Sequence, residues 1–150
     1  MSIRLAAAAV LLSVFTHSAL ADKLVTVESK HSVKESLDRL TAALDQRGIK
    51  PVARVDHAAG AKAVGLELPP TEILIFGNPK LGTPLMQANP EIAVDLPMKV
   101  LAWQDKAGKV WVAYTAPDAL KARYGIADRD EVFKAMAAAL QALTKAASGQ

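Results

Sequence analysis

The sequence predicts an α+β domain: one sheet of about five strands, packed by two main helices and joined by short connecting helices. Three observations lead there. Five short β-patterned runs are spread along the chain; two longer amphipathic stretches carry helix start and stop signals; and the order is strand, helix, four strands, long helix. A length of 150 residues suits a single domain.

In order, Leu24 to Ser29 (LVTVES) alternates apolar and polar residues, the mark of a half-buried strand. Ser32-x-x-Glu35 forms a capping box, in which the Ser32 hydroxyl serves the Glu35 amide and the Glu35 side chain reaches back. Val33, Leu37, Leu40 and Leu44 then recur at helical spacing, and Gly48 closes this first helix as a left-handed cap. A second strand covers Lys50 to Asp56, followed by a weak helical turn from His57 to Val64, weak because Gly60 sits inside it. Pro69-Pro70 forces an extended entry into a third strand, Thr71 to Phe76.

The segment from Ile75 to Pro90, IFGNPKLGTPLMQANP, leaves that strand abruptly. Gly77 permits a tight exit, Asn78 is a good N-cap, and Pro79 suits the first position of a short helix reaching Ala88. Two strands follow, within Val94 to Gln104 and Lys109 to Ala116, joined by the hairpin loop Asp105-Lys106-Ala107-Gly108. Pro97 is expected to place the start of the fourth strand at an edge or bulge. Pro117 opens another short helix that Gly125 ends. Asp128-x-x-Glu131 is expected to cap the final helix, with Phe133, Met136, Leu140 and Leu143 on one face. Two helices cover only one face of a sheet. The other face needs the short helices, a partner subunit or a ligand.

Residues 1–21 read as an address rather than as part of the domain, which then spans 22–150. Arg4 precedes an apolar centre from Leu5 to Phe15, and Ala19-Leu20-Ala21 is a small-x-small cleavage site. The apolar run is too short for a membrane anchor, since spanning needs roughly 20 residues. The expected compartment is therefore periplasmic or extracellular, with no membrane attachment after cleavage. Loss of Arg4 lowers the net charge from +3 to +2, and with no basic cluster this is a poor footprint for nucleic acid. With no cysteine, disulfides, thiolate metal sites and c-type haem are excluded.

The stretch from Asp56 to Pro117 resembles the DUF302 family, whose fold is named for the TT1751-like proteins. The features carrying the resemblance are Asp56-His57, Phe76-Gly77-Asn78-Pro79, Gly82-Thr83 with Leu85-Met86, Asp95-Leu96-Pro97, and Tyr114 followed by Pro117. The resemblance implies a β-α-β(4)-α fold and a tendency to form homodimers. It implies no activity, because the family name marks an unknown function.

Candidate site residues fall into three groups. Asn78, Lys80 and Thr83 lie at the mouth of a short helix whose unpaired amides favour an anion, with Lys80 adding positive charge and Thr83 a hydroxyl. The plainer reading is a capped helix with a solvated lysine. His57, beside Asp56, is placed to act as a base, or else as a structural hydrogen-bonding residue. Only His31 and His57 remain after leader removal and no ligand spacing is present, so neither a metal nor another cofactor is expected. Asp95 and Lys99 sit on an apolar strand and are expected to pair at its rim. If the hairpin pairs Gln104 with Lys109, Lys99 falls opposite Tyr114.

These readings converge on an exported homodimeric module that binds a small polar or anionic ligand. The alternative is an enzyme acting on a small substrate with His57 and either Asp56 or Asp95 as acid–base groups. No nucleophile, cofactor motif or catalytic carboxylate pair accompanies them, so the sequence leans away from an enzyme.

Overall fold

A computed structural model describes residues 24–150; the leader and its cleavage site lie outside the described residues. The elements are β1 (Leu24–Ser29), α1 (Val33–Asp45), β2 (Pro51–Asp56), α2 (His57–Ala63), β3 (Thr71–Phe76), α3 (Pro79–Ala88), a 3-10 turn (Pro90–Val94), β4 (Met98–Gln104), β5 (Val110–Thr115), α4 (Pro117–Tyr124) and α5 (Asp130–Ser148). The strands form one five-stranded sheet in the order β1-β5-β4-β3-β2, every neighbouring pair antiparallel. The architecture is the α+β arrangement predicted.

The strands' period of two separates the sheet's faces. Leu74, Phe76, Met98, Val100, Ala102, Val112 and Tyr114 point to one side and are buried. Against them α1 lays Val33, Leu37, Leu40 and Leu44, while α5 lays Phe133, Met136, Leu140 and Leu143, all in one continuous core. Leu37, Leu40 and Leu44 are fully buried, and truncating one to alanine would cost about 2–5 kcal/mol. At the β2 edge, the Arg54 guanidinium bridges Glu72 of β3 and Asp38 of α1, clamping that helix to the sheet.

The opposite face carries Ile73 and Ile75 of β3, Leu101 and Trp103 of β4, and Trp111 of β5, all half-buried and outside the core cluster. Trp103 pairs directly with Trp111, and Leu101 lies between Ile73 and Ala113. Val55, opposite Ile73, is 40% exposed. α2 buries none of its residues. This face has an apolar centre, carries Thr26, Glu28, Thr71 and Lys99 on the same side, and is open to solvent.

Four local expectations are corrected. Ser32 Oγ does accept from the Glu35 amide, but Glu35 does not reach back; its carboxylate lies 2.9 Å from His31 Nδ1. Asp128 does not cap α5: Arg129 is the N-cap residue, with no side-chain cap bond, and the Asp128 carboxylate pairs with the Arg129 guanidinium. Pro97 marks neither an edge nor a bulge, because β4 begins after it and lies at the centre of the sheet. The Leu96–Pro97 peptide is cis, and a 3-10 turn occupies part of the stretch read as strand.

The hairpin register differs by one residue. Gly108 adopts φ +82°, and the Asp105 amide bonds the Lys109 carbonyl at 2.8 Å. Gln104 therefore pairs with Val110 rather than Lys109. Lys99 lies opposite Ile75 of β3, not opposite Tyr114. A glycine in the left-handed region supplies the extra residue that closes the loop.

Two glycines flanking the start of α3 make the packing testable. A Cβ on Gly77 would meet the Pro97 Cβ at 3.0 Å, whereas one on Gly82 would meet Leu96 Cδ1 and Met86 Cε at 3.7 and 3.8 Å, ordinary contacts. Gly77→Ala is expected to lose about 1–3 kcal/mol through overpacking against a rigid ring. Gly82→Ala, inside a helix, is expected to gain up to about 1 kcal/mol of helix propensity. Urea unfolding midpoints decide between them; a Gly77→Ala protein as stable as the wild type would show that the contact yields.

Candidate functional site

β3 and β4 run side by side with Phe76 opposite Met98, so the exit of one strand adjoins the entry of the other. There Gly77 passes close to Pro97, a distance only a residue without a side chain accommodates comfortably. Asn78 then caps α3: its Oδ1 accepts from the Lys80 amide at 3.0 Å, and its carbonyl accepts from the Leu81 and Gly82 amides, each at 2.9 Å. Pro79 occupies the first helical turn, where no amide is needed.

This turn forms one wall of a cavity of about 330 Å³, open on one side and bordered by α3, α5 and the neighbouring ends of β2, β3 and β4. Its walls are apolar. Met86, Met98 and Met136, all the methionines among the described residues, face it, together with Val52, Leu96 and Ala139. Gly82 keeps its helical side open. Among the described residues, the only polar side chains on the wall are those of Asn78 and Thr83. Neither the Asn78 Nδ2 group nor the Thr83 hydroxyl has a protein hydrogen-bond partner among the described residues; the cap uses only the Asn78 oxygen.

The other predicted site residues lie elsewhere. Lys80 is exposed beside the cavity and forms no part of its wall. Asp95 and Lys99 belong to a separate cluster at the same end of the sheet. Lys99 Nζ donates to the Asp95 main-chain carbonyl at 3.1 Å, not to its carboxylate. The carboxylate instead accepts from the Tyr124 hydroxyl at 2.7 Å and pairs with the Arg123 guanidinium. Burial works to raise the Asp95 pKa, but the Tyr124 and Arg123 hydrogen bonds and the Arg123 and Lys99 charges outweigh it, and the pKa is lowered. The same contact raises the Tyr124 pKa, chiefly because Asp95 accepts its proton-bearing bond. The cluster ties the 3-10 turn and β4 to α4.

His57 is exposed at the far end of the sheet. Asp56 pairs with Glu72, six residues before Asn78, so at about 3.3 Å per residue His57 stands roughly 20 Å from the cavity mouth. The Asp56 carboxylate is engaged in capping α2, accepting from the Ala59 amide at 2.8 Å. His57, Asn78 and Asp95 do not converge. Among the described residues, no three His, Cys, Asp or Glu side chains gather into a metal site.

Sequence reasoning missed Arg123 and Tyr124 as partners of Asp95, and it missed the methionine walls. Arg123 and Tyr124 stand just before the helix-ending Gly125, in a position that reads as an ordinary solvated turn. The methionines occupy strand and helix positions that read as core.

The sequence profile described as "Domain of unknown function DUF302" matches residues 25–143. A crystal structure described as an uncharacterized conserved protein DUF302 from Bacillus stearothermophilus superposes with a TM-score of 0.74 at 21% identity, covering 83% of this chain and 97% of that one. At that identity the likeness shows the fold. Curated relatives include Fluoride-specific ion channel FluC 1 of Brucella suis, 48% identical over 127 residues, which are 84% of this chain and 50% of the relative. Fluoride-specific ion channel FluC 2 of Brucella melitensis is also 48% identical, over 47% of its length. The chain thus spans about half the length of the curated relatives it matches. No helix among the described residues is long and apolar enough to cross a membrane.

The Asp95 cluster has a pH signature. The folded value lies below the ordinary 3.8, so its stabilisation is fully present above about pH 4 and is lost as pH falls through the folded value. Asp95→Asn is expected to cost about 1 kcal/mol at pH 7, a modest amount because both partners keep some solvent access. It should also flatten the stability curve below pH 4. Chemical denaturation from pH 7 to 3 measures both; parallel curves for the two proteins would remove Asp95 from the pH response.

Proposed function

The chain belongs to the DUF302 family, and on that premise we propose that it is an exported, homodimeric module whose cavity at the start of α3 binds a small molecule. The observation that carries this reading is the cavity itself. It is concave, apolar-walled and furnished with two polar side chains, the usual make-up of a small-molecule site, and its volume falls at the lower end of the roughly 300–1,000 Å³ range. Binding is favoured over catalysis because, among the described residues, no Ser, Cys, His, Asp, Glu or Lys side chain lines it. The enzyme alternative pairs His57 with Asp56 or Asp95; the length of the sheet separates His57 from Asp95, and the Asp56 carboxylate beside it is engaged in capping α2. Sequence reasoning expected a small polar or anionic ligand. The walls add an apolar body to it, with the polar part at Asn78 and Thr83.

Dimerisation is supported by the open sheet face. Ile73, Ile75, Leu101, Trp103 and Trp111 form a contiguous apolar surface of the kind two copies bury isologously. Export is supported by the leader of residues 1–21.

A second reading is favoured by the curated relatives. Their names describe fluoride-specific channels, while the half matched here contains no described membrane-crossing helix. Under this reading the domain works beside a fluoride channel. Deleting the gene in its host should then sensitise growth to fluoride, and unchanged growth across a fluoride titration would discard the idea.

The cavity is tested by filling it. A thermal-shift screen of small phosphates, carboxylates and alkyl amphiphiles is expected to find a ligand; at a hundred times its Kd such a ligand stabilises by about 2.7 kcal/mol. Ala139→Phe, on the cavity wall, should keep its own melting temperature and lose the ligand-induced rise. If no compound shifts the wild type, or Ala139→Phe responds equally, the cavity is not the site.

For the assembly, protein recovered from the native host should begin at Asp22 by mass spectrometry and scatter light as twice its chain mass. Leu101→Glu, placing a charge at the centre of the open face, should scatter as one. A retained Met1 would refute export, and a monomeric wild type at high micromolar concentration would refute the dimer.

A further inference from the structure

Deepening that binding reading, on which it rests, we infer that the cavity takes a single-chain amphiphile: a flexible alkyl tail of about eight carbons bearing an anionic, hydrogen-bond-accepting head. Three features carry this. The walls are made adaptable by Met86, Met98 and Met136, whose unbranched thioether chains re-form around a flexible guest, and Phe76 is the one aromatic ring on them. Such walls suit a chain that bends better than a rigid flat ring that needs a fixed slot.

Size comes second. At roughly 30 Å³ for each water-sized group, about 330 Å³ holds on the order of ten heavy atoms. That is the size of an eight-carbon carboxylate.

The third feature is the sign of the mouth. The Asn78 oxygen is occupied by the Lys80 amide, which leaves the two Nδ2 hydrogens as the free hydrogen-bonding groups of that side chain. The Thr83 hydroxyl lines the same cavity, the exposed Lys80 supplies a positive charge in the turn, and among the described residues no acidic side chain lines the cavity. Donors and a cation without an acid select an acceptor head over an ammonium.

Titration calorimetry with hexanoate, octanoate, decanoate, octanol and octylammonium tests the inference. Affinity should tighten about fourfold per methylene until the cavity is full and level off near decanoate. Octylammonium should bind at least tenfold more weakly than octanoate. Asn78→Asp is the decisive variant, because aspartate caps a helix as well as asparagine while replacing the donors with a negative charge. Its melting temperature should be unchanged, its octanoate affinity should fall at least tenfold, and octylammonium should become the better ligand. Thr83→Val, at an exposed position, should weaken octanoate without affecting octanol.

Equal binding of octanoate and octylammonium to the wild type, or an Asn78→Asp protein that holds octanoate unchanged, overturns the anionic head. In that case octanol binding that Ala139→Phe abolishes leaves the cavity reading standing. If none of the five probes binds the wild type, the amphiphile is overturned, and only a ligand of another class from the thermal-shift screen keeps the cavity as the site.

Discussion

The pairing of β3 with β4 is the constraint on which the rest of the molecule depends. Its register sets Phe76 against Met98 and Leu74 against Val100, so one continuous strip of buried side chains runs beneath α1 and α5. The same register brings the exit of β3 and the entry of β4 into one corner. There Gly77 slides past Pro97, Asn78 starts α3, and α3 leans toward α5 over the space that becomes the cavity. A one-residue slip would turn every core side chain of β4 to the opposite face and dismantle that corner at once. The site is therefore a consequence of sheet register and not of the loop alone.

What the sequence made legible follows from how local each signal is. The bounds of α3 are readable because Asn78, Pro79 and Asn89-Pro90 act on their own neighbours. α1 is readable from Ser32 and the spacing of its leucines. Signals fail where two local partners compete. Glu35 had a choice between the Ser32 amide and the His31 ring, and the ring won; Asp128 had a choice between capping and pairing with Arg129. The hairpin register turned on a single backbone angle at Gly108, which identity alone does not reveal. Pro97 looked like an edge signal because sequence order says nothing of strand order, and β4 proved central.

The candidate site divides along the same line. Asn78, Gly82 and Thr83 were visible because they lie within six residues at the start of one helix. The walls were not, because Val52, Met98 and Met136 arrive from separate elements and look individually like core. Arg123 and Tyr124 reach Asp95 across 28 and 29 residues, beyond any helical or strand spacing. His57 drew notice through its residue type and its neighbour Asp56, and sequence adjacency does not reveal that it stands at the other end of the sheet from Asn78.

The close of α5 has a consequence for how that corner of the domain opens. The Lys30 amide bonds the Ser148 carbonyl at 3.0 Å, the Gln150 side chain bonds the Glu28 carbonyl at 2.9 Å, and Gly149 is so near His31 Nε2 that a Cβ there would stand 2.4 Å from it. The last helical turn is thus fastened to the segment joining β1 to α1. One six-residue strand separates that fastening from Leu24, so β1, the start of α1 and the last turn of α5 are held together at one corner. Opening of the last turn of α5 would therefore loosen the β1–α1 connection with it, so the two are coupled in any local unfolding of this corner.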